Sequence, residues 1–228
     1  MNKLSRVLYD FYLREGLKGF GSHFSETSGL FLKNILSSDY NFLDAGCGKG
    51  FYVNFASKHV KHAVGIDISL PLLREAQSSF RAFNTDFIQA SWDALPFREE
   101  SFDVVIWFDG PEHAIDPKLT LLEIRKVLRR FLLVSAPVST CILILPEYFE
   151  VKLNKTLAIT SGKPFRGHIN AYTRRTLMKL LTSSGLVILH ERSGVPHIPL
   201  FKQICLLLCG LFREKRMYWS ISLCTAAR

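Results

Sequence analysis

The sequence contains no cysteine pattern suited to a metal or a disulfide framework. Its five cysteines, Cys47, Cys141, Cys205, Cys209 and Cys224, are scattered. No CxxC pair and no Cys/His cluster has metal-ligand spacing, so no metal is expected. The first sixteen residues lack an uninterrupted apolar core, because Lys3, Arg6, Asp10, Arg14 and Glu15 break it. A secretory leader is therefore not expected, and a cytoplasmic, reducing location is. The most apolar run, Ile204–Phe212, has nine residues, where a bilayer span needs about 20. Internal repeats and low-complexity segments are absent as well, which argues against solenoids and disordered arrays.

What is present fits one α/β domain over residues 1–228 with a full core. Apolar residues make up 48% of the chain, the ordinary globular range. Phe is frequent, at 18 residues, which serves either an aromatic-rich core or a lipophilic pocket. The net charge is +9, and it is uneven: residues 1–110 carry 11 Lys/Arg against 13 Asp/Glu, residues 111–228 carry 18 against 7. The basic second half suits an anionic partner, such as a phosphorylated substrate, a nucleic acid or a membrane surface, or is a solvated face.

Residues 3–15 and 24–37 read as two helices forming an N-terminal cap over 1–38. From Tyr40 onward strands alternate with helices. Strands are expected at Asn41–Ala45, Ala63–Asp67, Phe87–Ala90, Phe102–Phe108 and Phe131–Ser135, the last stopped by Pro137. Helices are expected after the glycine turn, over Pro71–Phe80 and over Leu119–Leu128. This alternation implies a parallel sheet with right-handed crossovers. A helix over Thr173–Ser184 precedes strands at Leu186–Arg192 and Ile221–Ala226, with an apolar, basic-flanked insertion at 196–218 between them. The insertion suits packing on the sheet, a lid, a membrane-surface helix or a dimer contact.

The chemistry concentrates in Asp44-Ala45-Gly46-Cys47-Gly48-Lys49-Gly50, a strand end followed by a glycine turn and a helix. Glycines there let the backbone turn tightly and approach a ligand. A dinucleotide fingerprint would need glycine at position 51, which is Phe51, and a P-loop would need Ser or Thr after Lys49. Asp67 ends the second strand, where a carboxylate can take both hydroxyls of a ribose; Ser69 is the expected cap of the helix that follows. Then come Ala90-Ser91-Trp92-Asp93-Ala94-Leu95-Pro96-Phe97, Ser101-Phe102-Asp103-Val104-Val105-Ile106 and Glu112-His113.

In this combination the chain resembles the class I methyltransferases that use S-adenosylmethionine (SAM), and is most similar to the small-molecule branch that includes quinone and sterol methylators. The resemblance runs from about Tyr40 to Ser135, and more loosely through Leu186. It implies a Rossmann-like three-layer sandwich with a mostly parallel seven-stranded sheet and an antiparallel last strand. It also implies that Asp44 with Gly46, Cys47, Gly48 and Gly50 holds the amino-acid end of SAM, and that Asp67 binds the ribose. Ile68 and Trp92 would lie against the adenine, and Ser91 stands where the family usually has an Asp for the adenine amino group. Trp107, Phe108 and Asp109 would face the sulfonium and the nucleophile. Two further departures are visible. Asp109-Gly110-Pro111 replaces the usual apolar residues, and Arg129-Arg130 runs into the next strand without the family's Pro-Gly-Gly turn.

A sulfonium is a good leaving group, so positioning in a dry pocket supplies most of the rate. An oxygen nucleophile still needs a base, for which His113, His168 and Tyr172 are the candidates beside ordinary structural roles. His23 is a further candidate contact for the SAM carboxylate. The leading expectation is methyl transfer to an O, N or C nucleophile of a small lipophilic or anionic metabolite. The competing expectations are an RNA methyltransferase, a catalytically silent SAM-binding subunit and, more distantly, a nicotinamide-dependent reductase.

Overall fold

A computed structural model describes residues 32–138, 148–149, 151–153, 155–156, 168–194 and 218–226. Its elements run β1 (Asn41–Ala45), α1 (Phe51–Ser57), β2 (His62–Asp67), α2 (Leu70–Ser79), β3 (Thr85–Gln89), β4 (Phe102–Phe108), α3 (Pro117–Val127), β5 (Leu128–Val138), α4 (Arg174–Ser183), β6 (Leu186–Gly194) and β7 (Tyr218–Ala226). The strands form one seven-stranded sheet in the order β3-β2-β1-β4-β5-β7-β6. β1 pairs in parallel with β2 and β4, β2 with β3, and β4 with β5. β7 runs antiparallel to both β5 and β6.

Side chains of the central strands alternate between two cores, as a period of two requires when both faces are covered. Phe42, Val104, Ile106 and Leu133 join Val53 and Ala56 of α1 and Leu73 of α2. Leu43, Val105, Trp107, Leu132 and Val134 join Leu121 and Ile124 of α3 and Leu177 and Leu181 of α4. The result is the three-layer α/β/α sandwich that the sequence implied. Each such aliphatic side chain removed from water stabilises the fold by about 1.5–3 kcal/mol before entropy is counted.

Helix boundaries follow local chemistry. Asp116 caps α3, its carboxylate accepting from the backbone N–H of Lys118 and Leu119, with Pro117 opening the helix. Thr173 and Thr176 form a reciprocal capping box at the start of α4. Ser69 occupies the cap position of α2, yet its side chain makes no capping bond. The neighbouring Asp67 carboxylate instead accepts from the Ser69 N–H at 2.8 Å.

Pro137 does not stop β5. The strand continues through Val138, with Pro137 opposite Trp219 of β7. The pairing of β4 with β5 ends at Ser135. Beyond it β5 has, among the described residues, a partner on one side only, so a residue without an N–H is tolerated as on an edge strand. β7 begins at Tyr218, three residues before the expected start. Helix 3–15, residues 24–31 of the expected helix 24–37, His23 and the insertion up to residue 217 lie outside the described residues. In the described part the helix ends at Lys33 and gives way to a turn, short of the expected end at residue 37.

The missing turn between α3 and β5 is real: α3 ends at Val127 and β5 begins at Leu128. The junction is held by Asp103, a buried residue near the start of β4. Its carboxylate accepts from Arg129 Nη1 at 3.1 Å, Arg130 Nε at 3.3 Å and the Asn41 N–H at 3.0 Å. Arg129 also donates to the Glu100 carbonyl at 2.6 Å. Replacing Asp103 with Asn is expected to lower stability by about 1–2 kcal/mol in urea unfolding. That is the scale of charge-assisted bonds, reduced here because both arginines are partly exposed. Because the junction lies at the opposite end of β4 from its carboxyl edge, SAM affinity should stay unchanged; a variant as stable as the parent would refute the clamp.

Candidate active site

The sheet reverses its strand order between β1 and β4, and ligands of open α/β sheets bind at the carboxyl ends of strands at such a switch point. The glycine turn lies there. Gly46 and Cys47 both donate backbone N–H groups to the Ile66 carbonyl at 2.8 Å, tying the turn to β2. Gly46, Gly48 and Gly50 hold positive φ values of 101°, 50° and 80°. Glycine is required most plainly at positions 46 and 50, where a Cβ would also lie 2.9 Å from the Trp92 ring and 2.6 Å from the Phe87 ring respectively.

Three carboxylates meet around this turn. Asp67 braces it by accepting from the Gly48 N–H at 2.9 Å. Asp44 is fully buried at the end of β1; burial, reinforced by the negative charges of Asp67 and Asp109, pushes its pKa well above the usual carboxylate range. Burial also raises Asp67, opposed by the backbone N–H groups it accepts. Asp109 sits just past β4 with φ 52°, a left-handed conformation that is strained for a non-glycine residue. Its side chain accepts from Ser135 Oγ at 2.9 Å, and its pKa is raised by burial to about 6. Carboxylates this close, held in a site of low polarity, favour a cationic occupant.

Other residues singled out in the sequence fall around the same edge. Cys47 is a buried thiol whose pKa is pushed well up by burial. Ile68 follows β2, and its carbonyl accepts from Gln89 at 3.0 Å. Trp92 packs edge-on against Trp107, ring centroids 5.9 Å apart. Ser91 Oγ accepts from the Asp93 N–H at 3.3 Å, within its own turn. Phe108 packs edge-on against Tyr52 of α1 at 5.0 Å.

The base candidates converge beside this edge. Glu112 and His113 are buried in the turn after β4, and His168 is half-buried in the segment before α4. The His113 and His168 rings stand edge to face with centroids 4.8 Å apart. The two segments are strapped together. Ile169 and Asn170 donate backbone N–H groups to the Glu112 carbonyl at 2.8 and 3.1 Å. Asn170 Nδ2 donates to the carbonyls of Pro111 and Ala114 at 3.0 and 2.6 Å. Tyr172 donates its hydroxyl to the Pro111 carbonyl at 3.0 Å. Burial and the nearby Glu112 charge raise its pKa far beyond the neutral range, so its geometry is that of a strut. No motif in the sequence singles out Asn170. Its signal was slight, an amide between His168 and Tyr172.

Part of the basic excess in the second half is consumed internally. Arg129 and Arg130 hold Asp103, and Arg174 pairs with Glu191 through Nε at 2.7–2.8 Å. Among the described residues no helix is long and apolar enough to cross a membrane.

Comparison with known proteins places a methyltransferase domain in the central part of the chain. Residues 43–131 match the family described as a methyltransferase domain. By sequence the chain is similar to YcgJ, an uncharacterised methyltransferase of Bacillus subtilis, at 31% identity over 118 residues, covering 48% of this chain and 46% of that one. It is also similar to the O-methyltransferase rstn1 of Aspergillus nomiae, at 35% over 92 residues, covering 38% and 41%. The chain thus spans about half the length of the curated relatives it matches. The crystal structure of YcgJ superposes with a TM-score of 0.64 at 16% identity, over 88% of this chain and 97% of that one. An S-adenosylmethionine-dependent methyltransferase from Mesorhizobium loti superposes at 0.62 and 16% identity, over 92% and 100%. These structural likenesses establish the shared fold.

Proposed function

We propose that this chain transfers the methyl group of SAM to an oxygen, nitrogen or carbon nucleophile of a small acceptor. The observation that carries the reading is a trio of carboxylates, buried Asp44 with half-buried Asp67 and Asp109, gathered around a glycine turn at the sheet's switch point. When bound, SAM supplies a methyl group on a positively charged sulfur and a neutral thioether leaving group. The residues present suit it. Asp67 can exchange its backbone partners for the ribose hydroxyls. The backbone around Gly46 and Gly48, with Asp44, suits the amino-acid end. Ile68 and Trp92 supply apolar surface for the adenine, with Ser91 beside them.

Asp109 and Phe108, ending β4, would border the cationic centre, and the carboxylate charge of Asp109 would favour it electrostatically. His113 and His168 stand beside that edge to accept an acceptor's proton, held in register by Asn170 and Tyr172. The basic second half supports an anionic group on the acceptor or an anionic surface as a partner.

The pKa of Asp109 gives a test with a definite sign. Its ionised form should bind the cation, so SAM affinity should rise about tenfold between pH 5 and pH 7. The ligand-free protein should respond in the opposite sense. A folded-state pKa raised to about 6 stabilises the protonated fold at low pH, and that advantage is lost as pH rises through 6. Isothermal titration with SAM across this range checks the first sign. A flat profile in the parent, or an equal slope in Asp109→Asn, would remove Asp109 from the cation's surroundings.

A further inference from the structure

We propose that Glu112, His113 and His168 together bind one divalent first-row transition-metal ion beside the carboxyl edge of β4. Each offers a ligand atom, and these atoms all lie within 4.8 Å of one another. Two imidazoles and one carboxylate form a common facial donor set that leaves positions open for an exogenous ligand. Metal–ligand bonds of about 2.0–2.2 Å hold donor atoms about 3–3.5 Å apart. Closing from 4.8 Å requires a small inward movement, which His168 can supply because it is only half-buried, whereas Glu112 and His113 are buried.

The backbone already holds the two donor segments in register. Their shared bonds run from Ile169 and Asn170 to the Glu112 carbonyl, and from the Asn170 amide to the carbonyls on either side of the Glu112-His113 pair. None of these bonds uses a donor atom of the trio. Such support is what orients ligands and sets affinity in metal sites. The donor set selects the metal: imidazoles suit zinc, iron or cobalt, whereas magnesium and calcium prefer oxygen ligands throughout. With the ion bound, His113 and His168 serve as ligands in place of proton acceptors. The exogenous ligand would be an oxygen donor, a hydroxyl or carboxylate of the acceptor, whose acidity the ion would increase. That last role rests on the methyltransferase reading; metal binding itself does not.

The test uses the full chain, stripped with a chelator and dialysed against Zn(II), with parallel titrations of Co(II) followed by visible absorbance. One equivalent of Zn(II) per chain and Co(II) ligand-field bands are expected. His168→Ala and Glu112→Gln should each weaken binding at least about 100-fold, since even outer-shell partners are worth 10–100-fold. Circular dichroism confirms that each variant is folded, and His168→Gln replaces His168→Ala if the latter is not. Sub-stoichiometric Zn(II), undiminished binding in either folded variant, or displacement of Co(II) by equimolar Mg(II) overturns the site. SAM titrations on the same samples keep the two readings apart. Metal binding without SAM binding leaves the site standing and removes methyl transfer, and SAM binding without metal does the reverse.

Discussion

Asp67→Asn should weaken SAM binding by about two orders of magnitude. The side chain stands at the end of β2, and its two oxygens are already committed to backbone N–H groups, Gly48 at 2.9 Å and Ser69 at 2.8 Å. It therefore both braces the glycine turn and presents the acceptor that suits a ribose. An amide of the same shape has one acceptor oxygen, so it can serve one N–H or one hydroxyl well, and its NH2 group repels the other donor. Bonds to a charged acceptor contribute about 1.5–3 kcal/mol each. Losing one and weakening the second costs about 3 kcal/mol, or roughly 150-fold in affinity. Titration calorimetry with SAM and its demethylated product reads this directly, while a melting curve reports on the turn itself. Affinity within threefold of the parent would mean that Asp67 is only a structural brace.

The largest stability effect is expected at a glycine whose φ is ordinary. In Gly110→Ala the new Cβ would lie 2.0 Å from Trp107 Nε1 and 2.4 Å from its Cδ1. Trp107 is fully buried, packed in the core with Leu121 and Val134 and edge-on to Trp92, so its ring has nowhere to go. The backbone must give instead, and the Gly110 carbonyl accepts from the N–H groups of His113 and Ala114. Overpacking of this severity costs about 3 kcal/mol, which for a chain of this size lowers Tm by about 6–12 °C. Combining it with Trp107→Phe, which removes the clashing nitrogen side of the ring, should recover part of that loss in a double-mutant cycle. A single variant melting within 2 °C of the parent would show that the turn yields freely.

The sequence was most legible where one local rule governs. β1 and β4 run from Asn41 to Ala45 and from Phe102 to Phe108, as their apolar runs indicated, because strands buried on both faces carry no competing pattern. The glycine turn was legible because its positive φ values demand glycine, and Asp67 falls at the end of β2 where the apolar run before it stops. Pro137 misled because its effect depends on which neighbours a strand has at that residue, a property of the whole sheet. Ser69 misled because holding the cap position is not enough: Pro71, two residues on, has no N–H to offer, and the Ser69 hydroxyl makes no capping bond. That His168 and His113 serve one site was suggested by the family resemblance alone, and their grouping with Glu112 had no signal in the sequence. His168 stands more than fifty positions after the other two, and no spacing rule encodes such a contact.

The strap between residues 168–172 and the turn after β4 has a bearing on how such a protein diversifies. Two stretches distant in the chain share carbonyls, an amide and a phenol, so neither keeps its shape when the other is replaced. They form one module of inheritance. A chimera that imports the post-β4 turn from a relative must import its partner segment too, and recombination between them separates what selection has to keep together.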